Sequence, residues 1–213
     1  MSWTIRIAAL ILTAHTALLV GSACVHSPVW DEIGHLPAGL SHWEFGNFDA
    51  YRVNPPLVRM VATLPLLLAS PRVDWAVSQA GPPYRPEWQM GPQMISLNGP
   101  SAFRYFWLAR WASIPFSLLG GWICFRWATD LYGPTSGLLA LILWCSCPMV
   151  LGHGQLLTPD VGAAACGVAA GDRVCVQVAS GSRACLPRCN PDVPLCPGRL
   201  RCVRDVALAD VAV

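Results

Sequence analysis

IAALILTAHTALLVGSACV, residues 7–25, is the stretch of sequence that decides the fold. These residues carry no formal charge and, as a helix, are long enough to cross a hydrocarbon core about 30 Å thick. Arg6 precedes them, and the tendency of basic residues to stay in the cytoplasm puts the following loop on the opposite side. We therefore predict a membrane-spanning helix with an extracytoplasmic loop after it.

A secretory signal peptide is the alternative for the same stretch. Gly21-Ser22-Ala23 offers a cleavage site of small residues, and Cys24 follows it as in a lipid-modified protein. Further apolar segments downstream favour a spanning helix, because a secreted protein would not need them. A secreted or lipid-anchored protein stays open as an alternative.

Composition agrees with a membrane protein. Of the 213 residues, 54% are hydrophobic and only 12% are charged, and the mean hydropathy is +0.45, which is too apolar for an ordinary soluble domain. The net charge is +2, and the 14 basic residues are all arginines that form no basic run. We therefore expect membrane lipids as partners and exclude nucleic acid.

Further spans are predicted at about 105–128 and 135–151, and a fourth begins at 161. Residues 26–103 are rich in Pro, Trp and Asn and form a long first extracytoplasmic loop. Such an order of segments predicts an all-α membrane protein.

Two helices are predicted inside the long loop. EIGHLPAGLSHWEF, residues 32–45, has apolar side chains at helical spacing, although Pro37 predicts a break or a late start. LVRMVATLPLLLA, residues 57–69, is too short to span and predicts an interfacial helix. Turns without a regular element are expected over 70–100.

The character of the sequence changes at residue 166. Six of the ten cysteines lie in 166–213, where aromatic residues are absent and Ala, Arg, Gly and Pro alternate as in GC-rich DNA read out of frame. We predict that 1–165 is the N-terminal part of a membrane domain and that 166–213 is a frameshifted or disordered tail. A small disulfide-bonded module is the alternative, since its cysteine count is even.

Two adjacent acids, Asp31 and Glu32, follow the first span at the depth of the lipid headgroups, where ionisable residues tend to be functional. Asp160 is a further acid at the start of a predicted span on the same side. One acid as a base and another holding a cation or a donor phosphate would suit transfer from a phosphorylated lipid carrier. The alternative is structural, with the pair marking the water boundary and Asp31 capping the next helix.

Two histidines, His35 and His42, are seven residues apart and share a helix face, with Glu32 one turn before His35. A metal site is conceivable at this spacing, but interfacial histidines with ordinary polar partners are more common.

Taken together, residues 30–67 (WDEIGHLPAGLSHWEFGNFDAYRVNPPLVRMVATLPLL) and 151–164 (LGHGQLLTPDVGAA) resemble the N-terminal third of glycosyltransferase family 39 and its bacterial relatives. These are type C membrane enzymes related to protein O-mannosyltransferases and to the aminoarabinose transferase of lipid A. The resemblance covers about residues 1–165. Three features carry it: the Asp-Glu pair after the first span, Asn54-Pro55-Pro56-Leu57, and Asp160.

The resemblance implies the N-terminal part of a type C helical bundle with interfacial helices in its first extracytoplasmic loop, located in the bacterial inner membrane. It implies mannosyltransferase-like, inverting transfer of a sugar from a polyprenyl- or dolichyl-phosphate donor to an extracytoplasmic acceptor. Asp31 is then the general base and Glu32 orients the acceptor or the neighbouring segment. Asp160 helps to hold the donor phosphate region, with a divalent cation left open as a cofactor, and Asn54 can hydrogen-bond the donor.

The chain departs from the family pattern in two ways, and both limit what the resemblance implies. Relatives often have Glu-Lys-Pro-Pro where this chain has Val53-Asn54-Pro55-Pro56, so both charges are missing. The family has many more spans, so we expect this chain to be a fragment that is inactive alone. A non-enzymatic membrane protein remains the alternative, in which the acids pair structurally with Arg104 or Arg110 or line a transport path.

Overall fold

The computed structural model describes residues 3–76 and 85–184, and within these ranges the regular structure is helical without a β-strand. Its helices, in chain order, are α1 (Trp3–Val25), α2 (Trp30–Phe45), α3 (Leu57–Ala69), α4 (Glu87–Asn98), α5 (Ser101–Tyr132), α6 (Pro134–Ser146), α7 (Pro148–His153) and α8 (Asp160–Ala184). The prediction of an all-α fold is confirmed.

Two helices of the described part, α1 and α5, are long and apolar enough to cross a membrane. α1 contains the predicted span 7–25, and α5 extends the predicted span 105–128 at both ends. α3 and α6 are apolar but shorter than a span.

The predicted span 135–151 differs in the structure, where α6 and α7 are separate helices. The break lies at Cys147, whose backbone is extended with φ −62° and ψ 122°, and Pro148 begins α7. A proline disfavours the helical conformation in the residue before it and has no N–H to donate, so it ends α6 and starts a new helix.

α4 lies where the sequence predicted only turns. Met90 and Met94 bury one face of this helix, and Gly91 packs against the carbonyl of Ile33 in α2. Pro37 leaves that carbonyl without its usual helical donor, yet α2 continues through the proline. α4 therefore covers the point at which we expected α2 to break.

α8 begins at Asp160, one residue before the predicted fourth span, and continues through Cys166, where the sequence changes character. It ends at Ala184, so the helix includes the first part of the predicted tail. The remaining tail residues, 185–213, lie outside the described part of the chain.

Within the described residues, three apolar clusters pack helices together. The largest joins α2, α3, α4 and α5 with Leu157. The second joins α1, α5 and α6 around Phe125 and Leu141. The third joins Ala38 of α2 to Ala50 and Tyr51 of the following turn, with Trp88 of α4 packed against it. α2 is therefore packed between its neighbours in the loop and the long helix α5, and its first turn meets the end of α1 and the segment before α8.

Candidate functional site

The two adjacent acids in the first turn of α2 differ in solvent exposure. Asp31 is exposed, whereas the side chain of Glu32 has no accessible surface. Val29, and not Asp31, occupies the N-cap position, and its N–H donates to Glu32 Oε2 at 3.0 Å. The capping role considered for Asp31 is thus taken by Glu32.

Glu32 forms a buried, two-point ion pair with Arg110 of α5. Arg110 Nε donates to Oε1 at 2.9 Å, and Nη2 donates to Oε2 at 2.6 Å. The other three N–H groups of this guanidinium donate to the carbonyls of Ala23, His26 and Ser27 at 2.7–3.0 Å. Because a helix leaves its last carbonyls without partners, Arg110 completes the end of α1 while it neutralises Glu32.

Glu32 also holds the segment that leads into α8. Its Oε1 accepts a hydrogen bond from the backbone N–H of Leu157 at 3.3 Å. Asp160 follows three residues later, with its carboxylate 60% exposed and 3.6 Å from His153 Nδ1. One carboxylate therefore connects the end of α1, the start of α2 and the approach to Asp160.

Asp31 accepts a hydrogen bond from a tyrosine that the sequence analysis did not single out. The Tyr51 hydroxyl donates to Asp31 Oδ1 at 3.1 Å. The Tyr51 ring is buried and stacks on His35, with 3.9 Å between the ring centroids and 24° between the planes. Burial, followed by the contact with Asp31, raises the pKa of Tyr51 to about 12, so the phenol stays a donor at neutral pH.

His35 is a buried histidine whose pKa is affected by three acids. Burial, and then the charge of Arg59, lower the pKa of His35 to about 4, against the opposing effects of Asp31, Asp160 and Glu87. Carboxylates from α2, α4 and α8 therefore act on one buried neutral ring. Its Nδ1 accepts from Arg59, and its buried Nε2 has no hydrogen-bond partner within the described residues.

Arg59 of α3 is buried among neutral acceptors. It donates from Nε to His42 Nε2 at 2.9 Å and from Nη1 to His35 Nδ1 at 3.3 Å, and Nη2 donates to the carbonyls of Tyr51 and Asn54. Burial lowers the pKa of Arg59 to about 10, which leaves the guanidinium charged at neutral pH. The two histidines considered as metal ligands thus point ring nitrogens at this arginine.

His42 completes the arrangement as a neutral ring. Its Nδ1 donates to the Asn47 carbonyl at 2.9 Å, which leaves Nε2 free to accept from Arg59. Nowhere in 3–76 and 85–184 do three or more His, Cys, Asp or Glu side chains lie together in a way that could hold a metal ion.

Aromatic rings pack next to Tyr51, the partner of Asp31. Trp30 and Trp88 stack with centroids 5.5 Å apart and planes 12° apart. The Arg85 guanidinium lies 5.3 Å from the Trp88 ring centroid and 5.4 Å from that of Tyr51, and it pairs with Glu87 at 2.7 Å. Trp88 and Glu87 of α4, together with Arg85 just before this helix, thus pack beside Tyr51 and Trp30.

Of the residues expected from the sequence, Asp31 and Asp160 both raise the pKa of His35 through their charges, against the larger effects of burial and Arg59. Glu32 lies beneath them on Arg110, and Asn54 contributes its carbonyl to Arg59. Arg59 and Tyr51 were missed. A signal for Arg59 existed, because it shares the helical spacing of the buried residues Ala62, Thr63 and Leu66 in α3.

Comparison of the chain with protein-family models, with curated proteins and with solved structures finds no match for it.

Proposed function

We propose that the exposed acids Asp31, held by the buried Tyr51, and Asp160 belong to a membrane glycosyltransferase that moves a sugar from a polyprenyl- or dolichyl-phosphate donor to an extracytoplasmic hydroxyl. The observation that carries the proposal is the exposed Asp31 carboxylate. It follows a helix of membrane-crossing length, accepts one hydrogen bond from Tyr51, and shares the His35 environment with Asp160.

The chemistry asks for one exposed base. In an inverting transfer the acceptor oxygen attacks the anomeric carbon, the bond to the lipid phosphate breaks, and the base takes the proton of the hydroxyl. Asp31 meets this need, since Tyr51 binds Oδ1 and the carboxylate is exposed. Glu32 acts in this proposal by orienting the neighbouring segments through Arg110.

Asp160 faces the donor side in this proposal. A carboxylate repels a phosphate unless a cation lies between them, so a divalent cation such as Mg²⁺ would draw its remaining ligands from the phosphate and from water. The described residues would supply at most two ligands to such a cation, Asp160 and the nearby His153, because no group of three ligating side chains lies together in this part of the chain.

The proposal places the chain in the bacterial inner membrane, with the α1–α2 junction outside the cytoplasm. Arg6 at the start of α1 supports this orientation. The exposed leucines of α3, of which Leu68 is the most exposed, fit a helix lying along the lipid surface.

Transfer of a labelled sugar from a polyprenyl-phosphate donor tests the proposal in membranes that contain the protein. We would assay the 213-residue chain and a product in which a neighbouring reading frame replaces the frame after codon 165. Asp31→Asn is expected to lower transfer by about 100-fold or more. Asp49→Asn, a matched change at an exposed aspartate of the α2–α3 loop, should keep full activity. Full activity of Asp31→Asn would sink the proposal.

A non-enzymatic membrane protein is the second candidate, and the Glu32–Arg110 pair favours it. All five N–H groups of Arg110 have acceptors, so the pair is satisfied without a ligand. Absence of transfer by both products, with the chain folded in the membrane, would decide for this candidate.

A further inference from the structure

The turn after α2 contains an unusual backbone conformation at Tyr51. Its φ is +53°, in the left-handed region that bulky residues rarely adopt. Such a conformation persists only where the surrounding structure enforces it, and outliers of this kind cluster at functional sites.

Arg59 is the group that enforces it. Nη2 of Arg59 donates to the Tyr51 carbonyl at 2.9 Å and to the Asn54 carbonyl at 2.7 Å, so one amino group binds both ends of the turn. The guanidinium is itself fixed by the ring nitrogens of His42 and His35. The buried network therefore determines where the Tyr51 side chain lies.

The ring reaches Asp31 only because Gly34 lies beneath it. A Cβ at position 34 would come within 2.8 Å of Tyr51 Cε2 and 3.3 Å of Trp88. Stacking on His35 fixes the other face of the ring, and the hydroxyl arrives 3.1 Å from Asp31 Oδ1. A strained turn, a glycine and a stacked histidine thus converge on one hydrogen bond to an exposed acid.

We propose that Tyr51 is a positioning residue for Asp31, which orients the carboxylate by binding Oδ1 and leaves Oδ2 as the oxygen that receives a proton. The role of Asp31 as a base rests on the proposed function, whereas the control of its carboxylate by Tyr51 does not. A donated hydrogen bond stabilises the ionised carboxylate relative to the protonated one.

The charged and titratable groups around this contact come from every element packed on it. They are His35 of α2, Arg59 of α3, Arg85 and Glu87 at the start of α4, and Asp160 of α8. Removal of the phenol hydroxyl alters one donor and leaves these groups in place.

Carbodiimide labelling tests the inference on the intact chain in detergent micelles. The reagent activates protonated carboxyl groups, an added amine traps them, and mass spectrometry follows the labelling of Asp31 against pH. Tyr51→Phe should move the labelling midpoint of Asp31 upward, because it removes a hydrogen bond that favours the ionised carboxylate. Labelling of Asp160 in the same molecules is the internal reference, and Tyr132→Phe makes the same chemical change at an exposed tyrosine.

Gly34→Ala provides a second variant that keeps the hydroxyl but displaces the ring. It should shift the Asp31 midpoint in the same direction. Gly152→Ala is its matched control, since a Cβ there meets nothing within 4 Å in the described structure. If Tyr51 only supported the fold, Tyr51→Phe and Gly34→Ala would lower the unfolding temperature without moving the labelling midpoint of Asp31. An unmoved midpoint in either folded variant overturns the inference.

Transfer assays separate this inference from the proposed function. If the labelling midpoint of Asp31 shifts in the variants but no transfer activity is found, the positioning role of Tyr51 is supported and the proposed glycosyltransferase function is contradicted. If transfer requires Asp31 but the labelling midpoints do not shift, the proposed function is supported and the positioning role of Tyr51 is contradicted. If both hold, the pH profile of transfer by Tyr51→Phe should move with the labelling midpoint.

Discussion

The two buried arginines stabilise the molecule in different ways. Arg110 is neutralised by Glu32, while the described partners of Arg59 are two histidine rings and two carbonyl groups. Removing one partner of a buried ion pair leaves the other charge without compensation, which costs more than the pair contributes. Arg59 instead depends on both rings remaining neutral.

Glu32→Gln should therefore destabilise the protein by about 3–5 kcal/mol. The amide cannot neutralise Arg110, whose guanidinium stays buried. Glu44→Gln, at an exposed position of the same helix, should change the free energy of unfolding by less than about 0.5 kcal/mol. Denaturant unfolding in micelles, followed by circular dichroism, measures both. Equal effects of the two changes would contradict a structural role of the pair.

His35 should make the protein sensitive to acid. Its pKa is about 4 when folded, below the ordinary value of 6.5, because burial disfavours the charged ring. The unfolded chain therefore binds this proton first, and the free energy of unfolding falls as the pH drops from 6.5 to about 4, by up to about 3 kcal/mol. Above pH 6.5 the effect vanishes.

Replacement of the ring isolates this contribution. His35→Asn keeps a neutral acceptor for Arg59 and should remove most of the slope between pH 6.5 and 4. His26→Asn, at an exposed position, is the control and should keep the slope. A slope that survives His35→Asn would assign the acid sensitivity to other groups.

How far the sequence predicts the site depends on the distance between partners. Asp31 and Asp160 could be selected because each borders an apolar run. A structural pairing of the acids with Arg104 or Arg110 could be raised as an alternative, but the sequence does not show that Glu32 and not Asp31 pairs with Arg110, 78 residues away, or that the pair is fully buried. The contact of Tyr51 with Asp31 depends on a left-handed turn that Arg59 stabilises, and no local pattern indicates it.

Among the helices, periodicity predicts α3 well because this helix buries a single face. It also finds α2, although residues 34–42 of that helix are buried all round. It fails for α4, where Gly91 and Pro92 suggest a loop but the contact of Gly91 with α2 stabilises a helix. At Cys147 apolar composition concealed a break that Pro148 imposes. In α4 a tertiary contact outweighs the loop-like composition, and at Cys147 a single proline outweighs the apolar composition.

The crossing of α2 and α3 depends on Gly39. A Cβ at this position would lie 2.6 Å from the Arg59 carbonyl oxygen and 2.7 Å from Thr63 Cγ2. Gly39→Ala should force the two helices apart and destabilise the protein by about 1–3 kcal/mol. Gly21→Ala in α1, where the described structure leaves open space, should be neutral or stabilising by up to about 1 kcal/mol. Thermal unfolding of both variants in the same detergent gives the comparison.

At the scale of the whole molecule, the outer surface of several helices is strongly apolar. Exposed large side chains include Leu10 and Leu18 of α1, Leu119 of α5, and Leu139 and Leu143 of α6. Large apolar side chains exposed on three helices favour a covered surface, and lipid is the cover that the proposed membrane location supplies.

Reporter fusions test that location and its orientation. Alkaline phosphatase, which is active only outside the cytoplasm, should be active when fused after Asn47 and inactive when fused after Gly133. The reason is that α5 lies between the two positions and has the length to cross the bilayer. Activity at both positions would contradict a spanning α5. Sequencing of the N-terminus should find Met1, and a start at Cys24 would favour the lipid-anchored alternative.

The contact between Arg110 and the end of α1 also sets an order on biosynthesis. The carbonyls of Ala23, His26 and Ser27 receive a donor that the ribosome adds 83–87 residues later. At about 5–20 residues per second, the nascent chain waits roughly 4–17 seconds for it. During that interval water or the insertion machinery must occupy these groups and Glu32. The end of α1 and the Glu32 side chain therefore acquire their native partner only when α5 has been synthesised.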